Sequence, residues 1–543
     1  MRARDLSRLT AATYDVLVVG GGIQGLTIAY EAASRGLRTA LVEARDFGSG
    51  ASFNHQKTVH GGLRSLQSAS LRRARESILE RRAMARIAPW FLRPLPFIVG
   101  TYRSMTRGRL ALAAAFRVDR WLGRDRNQGV EPELHLPAAR LISKAATLRL
   151  FPGVRQEKLT GAAQWYDYQM VEADRLTLAF AAAADRSGAD IVNYVEAVAP
   201  IKAGDRVSGM AARDGLSGDA FSINARFTVN AAGGAAATIM RSFGVPRSLP
   251  LLKAMNLVTS KPASDIALAA PTSKGQMLTL VPWRGRAIVG TGQSAALVAP
   301  DSSAVTVAEV DAFIADANQA FPALRMTRDD VTLVHRGIVP AVEDRATGRP
   351  SLLSIPAIYD HTGEGAAGAM TVVGVKYTTA RRVAQTVVER LAKSLGKRLR
   401  PSRTATTVLP GAGIADHEAL AIETARACNL ELSIATIRHL IALYAERCAD
   451  IVRLMHERPE LREPLAPSVE TLGAEVVYVI RHEMAMRLTD IVIRRTGLGA
   501  AGLPHAAAID AGARLAGQEL NWSLEQRDEE IAAVRAFYAL VES

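Results

Sequence analysis

The first fifty residues constrain this chain most. An apolar run, Tyr14-Asp15-Val16-Leu17-Val18-Val19, meets Gly20-Gly21-Gly22-Ile23-Gln24-Gly25. A helix-like run follows from Leu26 to Arg35, and a second apolar run, Thr39-Ala40-Leu41-Val42, closes at Glu43. Strand, glycine turn, helix, strand and acid make up the βαβ unit that binds dinucleotides. Glycine permits the tight turn and lets backbone N–H groups approach a pyrophosphate at the positive end of a helix. Glu43 stands eighteen residues beyond Gly25, where an acid accepts hydrogen bonds from a ribose. An ordinary glycine-rich turn would leave that acid unexplained.

A length of 543 residues exceeds what one core serves, so two or three domains are expected. Hydrophobic residues make up 48% of the chain, which suits a globular protein throughout. No run reaches about 18 uninterrupted apolar residues, so no membrane-spanning helix is expected. Met1-Arg2-Ala3-Arg4-Asp5 leads towards the first strand without an apolar signal region, and secretion is not expected. Two cysteines, Cys428 and Cys448, exclude a disulfide framework and fit a reducing, cytoplasmic setting. No His/Cys/Asp/Glu cluster has metal-ligand spacing, and no G-x-S-x-G elbow is present.

The net charge of +14 is concentrated. Arg64 to Arg126 holds fifteen arginines, no lysine and four acids, which accounts for +11 of it. Trp90, Phe91, Phe97, Tyr102, Phe116 and Trp121 are interspersed, and Arg107 to Arg124 reads as a basic amphipathic helix. Such a face suits an anionic membrane surface; the plain alternative is a solvated face with its aromatics turned into the core. No nucleic-acid module accompanies the charge, so nucleic acid is not an expected partner.

Further along, Leu159 to Val171 reads as a strand and Leu176 to Arg186 as a helix. Residues 197 to 228 alternate like a small meander, and Val229-Asn230-Ala231-Ala232-Gly233-Gly234 returns to a core strand and a glycine turn. Residues 251 to 345 read as strands with one helix, Thr306 to Phe321. Thr371-Val372-Val373-Gly374 is a last buried strand before a helix from Thr378 to Leu395. Beyond a linker around Pro401 the chain is helical from Asp416.

Lys57-Thr58-Val59-His60-Gly61-Gly62-Leu63-Arg64-Ser65-Leu66 resembles the K-L-I-H-G-G-L-R-Y-L loop of FAD-dependent glycerol-3-phosphate dehydrogenases. Val229 to Gly233, Val281-Pro282-Trp283 with Gly290-Thr291, and Gly374-Val375-Lys376-Tyr377-Thr378-Thr379-Ala380-Arg381 resemble further motifs of that family, in order. Ala474 to Gly499 is similar to its C-terminal helical domain. The resemblance implies an α/β fold: a doubly wound FAD-binding βαβ domain with a β-rich cap, plus an all-α C-terminal domain. The expected boundaries are 1–75, 150–250 and 346–396 for the FAD domain, 76–149 for a basic helical insertion and 251–345 for the cap. A linker at 397–410 and helices at 411–543 complete the chain.

The implied cofactor is FAD, held by Gly20, Gly21, Gly22, Ile23, Gln24, Gly25, Glu43, Ala44, Ser52, Lys57, His60, Gly61, Gly62, Leu63, Ala232, Gly233, Gly374, Lys376 and Thr378. The implied reaction oxidises the secondary alcohol of sn-glycerol 3-phosphate by hydride transfer, with electrons passed on to a quinone. Arg64 and Lys376 match family residues at the substrate, and His60 and His55 are further catalytic candidates. The C-terminal helices could also pair two copies of the chain.

The match weakens at the substrate. Val339 stands where the family's second arginine belongs, with Arg336 three residues earlier; an odd offset along a strand reverses the face. Asn256 replaces a histidine, Ser65 a tyrosine and Gln293 an acid. Two alternatives follow: a divergent flavin dehydrogenase for another hydroxylated or amine substrate, or an FAD-stabilised membrane scaffold without activity.

Overall fold

The structure, a computed structural model, describes residues 1–62, 70–103, 108–343, 350–374, 376–413 and 416–542. Leu63, Arg64, Ser65, Arg107 and Val375 lie outside the described residues.

The first strand, Tyr14–Val19, is buried along its whole length, as expected of a strand covered on both faces. It pairs in parallel with Thr39–Glu43 on one side and Ala220–Asn230 on the other. Asp190–Asn193 and Ala369–Val373 extend this sheet in parallel, and Ala357–Asp360 closes one edge antiparallel. Helices Ile23–Ser34, Ala173–Arg186 and Ala380–Leu395 pack together on one face. The meander of Val195–Ala203, Arg206–Asp214 and the outer part of Ala220–Asn230 packs with helix Ala236–Ser242 in a second core. The result is three layers.

A second, mostly antiparallel sheet forms the cap. It runs in the order Pro350–Leu352, Val331–Glu343, Leu251–Pro262, Arg286–Gln293, Met277–Trp283, Ala267–Pro271, Leu92–Tyr102, Leu159–Met170 and Thr58–Val59. This corrects the reading of residues 76–149 as a helical insertion and of the cap as residues 251–345 alone. Helices Leu71–Ile87 and Arg109–Leu122 are present, but between them Leu92–Tyr102 is a full cap strand. Pro94 and Pro96 looked like breaks. They pair with Tyr168 and Tyr166 on one side, while the strand's other neighbour joins only from Phe97 onward. A strand that lacks a partner on one side tolerates residues without an N–H.

Six helices among the described residues, from His417–Ala427 to Leu524–Tyr538, build the C-terminal unit. Buried charge fastens it to the first sheet. Asp46, just beyond strand Thr39–Glu43, accepts hydrogen bonds from Arg494 Nε (2.8 Å) and from Arg495 Nη1 and Nη2 (2.8 and 2.6 Å). Both arginines belong to a π-helical turn, Asp490–Arg495. Burial alone would raise the Asp46 carboxyl, but the two guanidinium groups hold it below the usual carboxylate range. Arg175 meets Glu483 with two bonds of 2.6 Å on the same seam. Removing one member of such a cluster strands the opposite charge in the core. Asp46→Asn is therefore expected to lower unfolding free energy by about 3–5 kcal/mol, read by urea titration at fixed flavin occupancy. An unchanged midpoint would mean the two arginines find other acceptors.

Candidate active site

The first turn is a cradle that only glycine permits. Gly20 has φ +110°, and a Cβ there would lie 2.6 Å from the Ala231 carbonyl oxygen. A Cβ on Gly25 would lie 1.8 Å from the Gly20 carbonyl oxygen. The N-terminus of helix Ile23–Ser34 is thereby drawn tightly against the strand ends. The Ser52 hydroxyl accepts the Ile23 N–H at 2.9 Å. Glu43 accepts the Gly21 N–H at 2.5 Å and the Arg45 N–H at 2.9 Å, and burial pushes its carboxyl pKa up. Ala44 is exposed beside it.

Two more chain segments converge here. Ala232 and Gly233 follow strand Ala220–Asn230, and Gly233 takes φ +57°, where a Cβ would meet no protein atom within 4 Å. Gly374 follows the last parallel strand, and a Cβ on it would meet Gln24 Nε2 at 2.7 Å. Gln24 Oε1 is buried with no protein partner, while Gln24 Nε2 donates weakly to the Lys376 carbonyl at 3.4 Å. Thr378, just before helix Ala380–Leu395, accepts the His60 N–H on its hydroxyl at 3.2 Å. Glycine-walled space, a tight helix N-terminus and an orphaned amide oxygen fit an extended dinucleotide.

The loop from 50 to 62 connects this cradle to the cap. Gly61 and Gly62 press it onto helix Leu71–Ile87: Cβ atoms there would lie 2.2 Å from Arg81 Nη1 and 2.5 Å from Ser77 Cβ. His60 presents a half-exposed ring (53% of its side chain). Its Nδ1 lies 3.0 Å from Asp167 Oδ2, its Nε2 lies 2.9 Å from Thr58 Oγ1, and its ring lies 5.6 Å from that of Phe97.

His55 is half-buried, with Nδ1 accepting the Lys57 N–H at 3.0 Å and Nε2 unpartnered. Burial, with Lys57 beside it, holds this histidine neutral, well below the usual imidazole range.

Lys57 departs from its expected role at the cofactor. Its side chain is fully buried, and Nζ donates to the Phe53 carbonyl at 2.7 Å, over the Phe53 ring. The ammonium serves the loop's own packing. His335 is also fully buried, edge-on to Phe53, with neither ring nitrogen partnered.

Arg336 and Val339 behave as alternation demands. The Arg336 Nη2 donates to the Phe537 carbonyl at 3.0 Å, and its guanidinium lies over the Phe537 ring. It is turned to the C-terminal helices and does not stand in for the arginine missing at Val339. Asn256, paired with His335, accepts from the Thr291 hydroxyl at 2.9 Å and fills the space that a side chain on Gly290 would need. Sequence reasoning overlooked Asp167 and Arg81. The available signal was a single acid inside the aromatic strand run Trp165-Tyr166-Asp167-Tyr168, where only a partnered carboxylate is stable.

The fold and cradle define an FAD-dependent oxidoreductase, and residues 15–382 match the family model described as FAD dependent oxidoreductase. Residues 402–527 match the C-terminal domain of alpha-glycerophosphate oxidase. Within that class, the chain belongs to the FAD-dependent glycerol-3-phosphate dehydrogenase family. It is 30% identical to a glycerol-3-phosphate dehydrogenase of Synechocystis sp., over 97% of both chains. Identity is also 30% to the mitochondrial glycerol-3-phosphate dehydrogenase of Homo sapiens, over 98% of this chain and 74% of the human one. The fold matches the FAD complex of glycerol-3-phosphate dehydrogenase from Bacillus halodurans with TM-score 0.76 and 24% identity, over 98% of this chain and 96% of that one.

Gly25→Ala should yield protein that purifies without flavin, measured by the ratio of flavin to protein absorbance. Gly363→Ala, where a Cβ meets nothing within 4 Å, is the matched control and should keep its flavin. Full flavin content in the Gly25 variant would refute the cradle.

Proposed function

We propose that this chain oxidises the secondary alcohol of sn-glycerol 3-phosphate, or of a closely related small alcohol, to the ketone. The observation that carries this reading is the half-exposed His60 imidazole, placed on the Gly61-Gly62 loop against Thr378, at the meeting of cradle and cap. Bound FAD supplies the two-electron acceptor for the hydride. His60 takes the hydroxyl proton, a role for which an imidazole with one free ring nitrogen is suited. Arg64 and Lys376 are the cations assigned to the phosphate; a guanidinium meets two phosphate oxygens at once. Gly20 to Gly25, Ser52, Gly233, Gly374 and Thr378 hold and orient the cofactor.

The test is anaerobic bleaching of the bound flavin by sn-glycerol 3-phosphate. Rapid bleaching at millimolar substrate or below supports the reading, and His60→Gln should slow it by about 10²–10⁴-fold, the usual worth of a general base. No bleaching, with dithionite still reducing the flavin, would favour the second reading: another hydroxylated or amine substrate. Val339, and Asn256 engaged with Thr291, motivate that second reading.

For the electrons we infer a quinone reached at a membrane surface. Among the described residues no helix is long and apolar enough to cross a membrane. Helix Arg109–Leu122 divides its apolar residues instead: Phe116 and Leu122 are buried, while Leu110 is 89% and Trp121 62% exposed. Arg117, Arg120 and Arg124 are exposed around them. Exposed apolar anchors ringed by arginine favour an interfacial seat on anionic lipid. The double variant Leu110→Glu with Trp121→Glu should stop co-sedimentation with phosphatidylglycerol vesicles and leave flavin bleaching intact. Unchanged co-sedimentation would exclude this helix as the contact.

A further inference from the structure

Asp167 lies in the middle of cap strand Leu159–Met170 and is 2% exposed. Four donors converge on its carboxylate. Gly61 N–H and Arg81 Nη1 reach Oδ1 at 2.7 and 2.5 Å. His60 Nδ1 and Trp165 Nε1 reach Oδ2 at 3.0 and 3.2 Å. Arg81 is itself buried and also donates to the Tyr166 carbonyl at 2.8 Å. Burial acts to raise the Asp167 carboxyl, but its bond to His60 and the charge of Arg81 outweigh this and hold it below the usual range.

An ionised carboxylate has no proton to give, so the proton in the His60–Asp167 bond sits on Nδ1. In a singly protonated ring that leaves the lone pair on Nε2, 2.9 Å from the Thr58 hydroxyl, which can donate to it. The position held by the Thr58 hydroxyl proton is the one a substrate hydroxyl must take. Arg81 completes the arrangement from behind, anchored by helix Leu71–Ile87 on one side and by the Tyr166 carbonyl on the other.

We propose that Asp167, held in place by Arg81, is a positioning residue for the oxidation: it fixes His60 in the Nδ1–H form and keeps Nε2 as the basic nitrogen. The inference rests on His60 being the base. In the step it supports, His60 Nε2 takes the proton from the substrate hydroxyl oxygen; FAD, when bound, would supply the two-electron acceptor for the hydride of the carbinol carbon. The developing imidazolium is then balanced by Asp167, whose own charge Arg81 preserves.

A purely structural role is the competing explanation, because Asp167 also ties down the Gly61 N–H. The test therefore compares flavin-loaded wild type, Asp167→Asn, Asp167→Glu, Arg81→Met and His60→Gln by stopped-flow anaerobic reduction with sn-glycerol 3-phosphate.

Asp167→Asn is expected to slow reduction by about 10²–10⁴-fold with little change in half-saturating substrate. Asp167→Glu should recover part of the rate, and Arg81→Met should show a smaller loss in the same direction. A wild-type rate in Asp167→Asn would overturn the proposal. If His60→Gln slows reduction and Asp167→Asn does not, the positioning role alone fails. If His60→Gln reduces at the wild-type rate, the base assignment itself fails. Loss of flavin in all three Asp167 and Arg81 variants would also overturn the proposal and leave Asp167 as loop architecture.

Discussion

Everything at this site depends on how one irregular segment, residues 44 to 62, satisfies its polar groups while it crosses from one sheet to the other. Outside the short strand Thr58–Val59 this segment has no ladder to pair with, so its buried polar groups need specific partners. Buried acids supply much of this. Asp46 grips the start of the segment against the C-terminal arginines, and Asp167 grips its end at Gly61 and His60. Between them the Ser52 hydroxyl meets the first helix at Ile23, and Lys57 folds inward onto the Phe53 carbonyl. Cofactor cradle, candidate base and helical C-terminal unit are thus fastened to one stretch of chain. A disturbance at any of its anchors is expected to reach the others.

The two carboxylates solve the same electrostatic problem with different results. Each would be costly to bury alone, and each is matched by at least one guanidinium. At Asp46 the partners are two arginines on one turn, and the cluster is closed to solvent. At Asp167 one arginine is balanced by an imidazole that reaches half into the open. The first arrangement joins domains. The second leaves a titratable ring at a surface, backed by a fixed charge, which is what a proton acceptor requires.

Much of the flavin domain was legible in the sequence because its signals are local. The strand, glycine turn and helix from Tyr14 to Arg35 announce themselves; in the cap, Thr306 capping helix Val307–Ala320 also sits where the pattern places it. The cap was harder to read, because its sheet is assembled from segments far apart in the chain. Leu92–Tyr102 carries two prolines among arginines and gives no strand signal until its one-sided pairing is known. At the site, glycine positions were readable from the turn they form, whereas Lys57 misled. A lysine beside a cofactor loop suggests a ligand contact, and only the left-handed backbone there, φ +57°, turns it inward. Asp167 showed only as a lone acid in an aromatic run, since its partners Gly61, His60 and Arg81 lie 86 to 107 residues away.

The arginine at 336 shows how a strand limits what a lineage can repair. Side chains along Val331–Glu343 alternate between two faces, and Arg336 is committed to the one that meets Phe537. No succession of point exchanges carries that residue across, since position parity is a property of the backbone. A single insertion or deletion would do so, but it would also turn His335, Gly337 and their neighbours away from Asn256 and Ala51. The face shared with Asn256 can acquire a new cation only at an odd-numbered position or from another element. Strand parity therefore decides which positions of Val331–Glu343 can ever present a side chain beside Asn256.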